Sequence, residues 1–224
     1  MFVNKYNGYI KIRKRLLLNI SCLLLIVGCR GTVSADMRED FLIAKTYANQ
    51  IFPDSLLRVF PTGLKDSTLI SYKVSFKYPS VLNDKANMVH AFPWIFVESH
   101  IFNQAAEYHS IKNTISRTSL RLIDTTQCFD IYQASRYEPS VDFPEKPVFV
   151  PVYSDSVFPA DSTTISHLPK SAELFIDKIG YHQLIYDKDA EKRQDLVPEI
   201  GHGYESGAAF LDDYLWASFW VIVW

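Results

Sequence analysis

Five consecutive residues, Gly201, His202, Gly203, Tyr204 and Glu205, put an imidazole, a phenol and a carboxylate side by side. Histidine exchanges a proton near neutral pH, and a carboxylate can serve as acid or base. His202, Tyr204 and Glu205 are therefore the candidate ligand-binding residues, and in a hydrolase His202 and Glu205 would carry the chemistry. The bland reading weighs more: Gly201, Gly203 and Gly207 shape a loop that enters a hairpin. The run from Gly203 to Gly207 is no nucleophile elbow. That motif is Gly-x-Ser-x-Gly before a helix, with a later histidine, whereas Ser206 is displaced and no histidine follows His202.

Metal chemistry has even less to stand on. Glu98, His100, Glu107 and His109 are ligand types, but their spacing fits neither His-Glu-x-x-His nor its inverted form. On a helix, His109 would lie about 13 Å along the axis from His100. A zinc site pairing one of them with His202 has weak support. Asp187, Asp189 and Glu191 open like a calcium loop, but Lys192 replaces its glycine and Pro198 its bidentate glutamate. With no phosphate loop, dinucleotide fingerprint or cysteine pairs, no cofactor or metal is expected. Cys128 alone remains in the folded part, where it reads as a small buried hydrophobe.

The chain's beginning carries an address. Lys11, Arg13, Lys14 and Arg15 precede an apolar run over residues 16–27, broken only by Asn19 and Ser21. A membrane span needs about 20 apolar residues, so this order of charge, short apolar core and small residue is a secretory signal. Its end, Leu25-Ile26-Val27-Gly28-Cys29, resembles the lipobox of bacterial lipoproteins. The resemblance implies that Cys29 receives a diacylglyceryl group and becomes the N-terminus after the signal is removed. Cleavage after Ala35, at Val33-Ser34-Ala35, is the rival, and would release a soluble protein. The likeness covers only the first thirty residues and specifies processing. It divides the chain into a signal over 1–28, a lipidated cysteine and tether over 29–40, and one globular domain over 41–224. Arg30-Gly31-Thr32 supplies no acidic cluster to redirect the anchored protein, which favours a position on the outer membrane facing the periplasm.

Once the signal is removed, 18 basic residues stand against 25 acidic ones, a net charge of −7. That balance argues against nucleic acid and against a polybasic membrane-binding face. The membrane is then reached through the lipid, and a protein or glycan is the expected partner. Abundant tyrosine and tryptophan suit either partner, or simply a sheet core.

The elements that must position these residues are an α+β set. Phe41, Ala44, Ala48 and Ile51 share one face of a helix over 36–52, which Pro53 stops. Residues 69–78 alternate apolar and polar as a half-buried strand, with a shorter strand over 56–60 as its hairpin partner. Residues 94–97 suit a buried strand, and 99–115 a helix capped by Ser99. Further strands are expected over 119–123, 128–134, 148–153 and 173–186, with loops over 138–147, 154–169 and 187–195. A hairpin of 207–211 and 215–224 ends the chain, its last strand apolar on both faces and so central in a mostly antiparallel sheet. These features imply a lipid-anchored envelope binding module. An envelope hydrolase acting at His202 and Glu205, or a structural envelope lipoprotein, are the alternatives.

Overall fold

The computed structural model describes residues 34–76, 78–82, 93–122, 128–131, 145–153, 157–184 and 201–224. The expected signal, Cys29, the calcium-like run from Asp187 and most of the 138–147 connection lie outside them. Residues from Ala35 to Trp224 form one compact unit. Its elements are α1 (Ala35–Ile51), α2 (Asp54–Leu57), β1 (Ser67–Val74), β2 (Trp94–Phe102), α3 (Ala105–Thr118) and β3 (Leu120–Leu122). There follow β4 (Cys128–Asp130), β5 (Val148–Val150), β6 (Glu173–Gly180), β7 (Tyr204–Leu211) and β8 (Trp216–Val223). No helix among the described residues is long and apolar enough to cross a membrane.

The fold is α+β, built on a six-stranded sheet of order β1-β2-β8-β7-β6-β3 in which every described pairing is antiparallel. β8 is central, as its two apolar faces require, and all eight of its residues are buried. Phe219, Val221 and Val223 face the helices together with Phe96, Phe102, Phe175 and Phe210. Trp216, Trp220, Ile222 and Trp224 face the other way, into a layer closed by the parallel pair β4-β5 and by residues 157–172. A twisted sheet with both faces apolar stays stable only when both are covered, and here they are.

The terminal hairpin begins three residues earlier than its apolar pattern indicates, because β7 starts at Tyr204. A single 3₁₀ turn, Asp212–Tyr214, reverses the chain, and Leu215 closes it in the left-handed region at φ 46°. Gly207 sits opposite Trp220. A Cβ there would stand 2.4 Å from the indole and 2.5 Å from the Phe175 carbonyl, so only glycine lets the ring lie across the strand. Gly203 plays the same part beneath Trp224.

Three expectations are corrected. Residues 56–60 form no strand and no hairpin with β1. Leu56, Val59 and Phe60 are the buried positions, an i, i+3, i+4 spacing that belongs to the α2 turn, and β1 pairs with β2 instead. Residues 99–102 are not helical and Ser99 is not a cap: β2 runs on to Phe102, and α3 starts at Ala105 after Gln104. Glu98 and His100, polar yet buried, interrupt the apolar alternation that would have marked this strand. Thirdly, the tether does not extend to residue 40. α1 already begins at Ala35, and Asp40 is buried in it.

Candidate functional site

The structure does not assemble the 202–205 loop into one site. Gly201 turns the chain at φ +63°, leaving His202 exposed. Tyr204 and Glu205 are consecutive strand residues and so point to opposite faces of the sheet. The Tyr204 ring lies over Gly180 and meets His182 edge-on, with centroids 5.1 Å apart, on the helix side. Glu205 goes into the tryptophan layer and is 0% exposed.

The surroundings of Glu205 are unusual for a carboxyl group. Its Oε2 accepts from the Phe149 backbone N–H at 3.0 Å, and its Oε1 from the Trp220 indole N–H at 3.1 Å. Neither donor carries a charge, and Glu205 takes part in none of the ion pairs among the described residues. Burial therefore wins over the two hydrogen bonds and pushes its pKa up to about 8. A strand starting at Tyr204 would have predicted this placement, since Glu205 then shares a face with Gly207, Ala209 and Leu211.

A second polar cluster, on the helix side, was not expected. Lys45 of α1 donates to both oxygens of Glu98, at 3.0 and 2.8 Å. Glu98 is 0% exposed. Burial raises its pKa, but His100 and Lys45 outweigh burial and hold it below the ordinary carboxylate value. His100 Nδ1 lies 3.4 Å from Ser67 Oγ, while its Nε2 approaches Glu98 Oε1 at 3.5 Å without completing a hydrogen bond. Serine, imidazole and carboxylate thus stand in a row, as a nucleophile relay needs. Here the row is a brace. Lys45 occupies both carboxylate oxygens, and His100 is only 6% exposed, too buried to meet a substrate. The sequence did hold a signal for it: a lysine one residue beyond Ala44, at the edge of the apolar stripe of α1.

The other proposed metal ligands are dispersed. Glu107 accepts from the backbone N–H groups of Lys65 and Asp66, at 2.9 and 3.0 Å, and so ties α3 to the loop before β1. His109 is exposed beside Tyr108, with ring centroids 5.2 Å apart. Among the described residues no three metal-binding side chains come together. Cys128 is buried at 1% exposure, in the floor of a cavity of about 410 Å³ beside β3.

A larger open cleft of about 650 Å³ lies on the helix side. Phe60 and Phe96 form its floor, with ring centroids 5.4 Å apart, and Ile111 and Ile115 of α3 add apolar wall. Asn49, Ser110 and Thr114 are exposed on its rim. Its two cations are already engaged: Lys45 with Glu98, and Arg58 with Asp177 through paired contacts of 2.7 Å. The cleft therefore offers apolar surface, neutral hydrogen-bonding groups and one exposed carboxylate, Asp54, rather than an anion site. Its size and mixed lining are those of a ligand pocket. None of its residues was singled out by sequence, because they come from α1, the α2 turn, β2 and α3, and no local pattern joins them.

Compared with protein-family profiles, curated proteins and solved structures, the chain has no significant match, so chemistry and geometry alone support a functional reading.

Proposed function

We propose that this chain is a lipid-anchored envelope protein that binds a peptide segment of a partner protein in the cleft between α1 and α3. The cleft is the observation that supports binding. An extended peptide alternates apolar side chains with backbone donors and acceptors, and the cleft pairs an apolar floor with a polar rim of Asn49, Ser110, Thr114 and the carboxylate of Asp54. The net charge of −7 after signal removal, together with the prior engagement of Lys45 and Arg58, disfavours polyanionic ligands. Anchoring rests on the lipobox-like residues 25–29, with acyl chains on Cys29 holding the domain at the outer membrane and facing the periplasm.

The test is Ile111→Glu, which places a charge on the cleft wall at a half-buried position. Anchored wild type and variant would be cross-linked in intact envelopes, and the captured proteins quantified by mass spectrometry. A stoichiometric partner depleted at least tenfold by the variant supports the reading. A partner captured equally by both places the interaction elsewhere. If no protein is captured but immobilised glycans bind the wild type and not the variant, the ligand is a glycan and the peptide reading falls.

A further inference from the structure

We propose that Glu205 is a proton-controlled latch that fastens the β4-β5 layer to the central sheet and releases it as the carboxyl group ionises. The geometry carries this. The two oxygens of one buried carboxyl group join two layers: Oε2 holds the Phe149 backbone in β5, and Oε1 holds Trp220 in β8. The site is aromatic and tight, with Phe149 against Trp224 at 4.8 Å between centroids. Among the described residues it offers neutral donors only, so a charge formed there gains little without water. Water can enter only if the outer layer lifts, and the Phe149 N–H is the bond that must then break.

Among the described residues no cation pairs with Glu205, and Lys73 of β1 interacts instead with Asp130 of β4. Tyr181, after the end of β6, has its phenol raised first by burial and then by Glu205. Tyr153 and Cys128 share the same core cluster and bring no cation. Glu145 and Lys146, before β5, are exposed, as is His202 ahead of β7. β8 and Trp224 after it contribute three indoles and Ile222 to this face, and none of them is titratable.

The sign follows from linkage. The carboxyl pKa is raised in the closed state from the ordinary 4.5 to about 8. The closed state is therefore fully favoured below the ordinary value, and its advantage is lost as pH rises towards the raised one. Between those limits the opening equilibrium grows about tenfold per pH unit, and above about 8 it levels off.

Hydrogen exchange of the Phe149 amide, measured on the full lipidated chain in detergent, reads this directly. Base catalysis of exchange alone raises the logarithm of the rate by about one per pH unit. In wild type the opening adds about one more below pH 8 and nothing above it. Glu205→Gln should give a slope of one throughout. Because that amide turns one acceptor into a donor facing an N–H, its absolute stability is not the readout. Trp220→Phe keeps the carboxyl group and removes a bond that lowers its pKa, so it should move the break upward. A wild-type slope of one from pH 5 to 9 would overturn the proposal, and so would the same break in Glu205→Gln.

Discussion

Two buried carboxylates on neighbouring parts of one sheet meet opposite fates because of what faces them. Glu98 has a lysine at 2.8 Å and stays ionised, whereas Glu205 has only N–H groups and resists ionisation. Lys45→Met should therefore destabilise the domain by about 1–3 kcal/mol at pH 7, since it strands a buried charge, while the 29% exposure of Lys45 moderates the loss. Because Glu98 has a lowered pKa in the fold, the stabilisation is present above the ordinary carboxylate value of 4.5 and is lost as pH falls through the folded value. Urea unfolding at pH 7 and again near pH 3 should show the wild-type advantage shrinking in acid. Asp40 is a third case. It accepts from the hydroxyls of Tyr72, Tyr78 and Ser80 and from the Val81 N–H, bonds that outweigh burial and hold its pKa down. This fixes residues 78–82 against α1, a structural role that no motif announces.

At the scale of elements, β8 organises the molecule, and its glycine partners are as necessary as its tryptophans. Gly207→Ala pushes a methyl group into the Trp220 ring and the Phe175 carbonyl, and should cost about 1–3 kcal/mol. Thermal melts followed by tryptophan fluorescence would detect it, and an unchanged melt would mean that the strands separate more easily than their register suggests. The amphipathic stripe of α1 and the two-faced apolar β8 were legible in the sequence because a single period runs through each. β2 was only half legible. Its first residues are apolar, but Glu98 and His100 occupy core-facing positions, and the charge of Glu98 there is made tenable by Lys45, 53 residues away. The α2 turn is illegible for a different reason: a one-turn helix is too short for its period to be told from that of a strand. At the candidate site, His202, Tyr204 and Glu205 were legible as residues but not as a geometry, since the pleat sends the latter two to opposite faces.

At the scale of the folded unit, residues 35–224 form a three-layer domain with helices on one face of the sheet and an aromatic layer on the other. Cys29→Ala, which removes the thiol proposed to carry the acyl chains, should move the protein from the membrane fraction to the soluble fraction without changing its melting temperature. Immunoblots of membrane and soluble fractions from wild type and variant, with mass spectrometry of the N-terminal peptide for acyl chains on Cys29, would check it. In the proposed function the cleft between α1 and α3 is the working surface. The most direct test is residue-resolved photo-cross-linking in intact envelopes, with the cross-linker at Thr114 on the cleft rim in one strain and at Thr163 in the turn-rich segment before β6 in another. A discrete, saturable protein adduct from position 114, absent from position 163, is the predicted result. Equal labelling from both positions, or none from position 114 while position 163 gives a defined adduct, would contradict it.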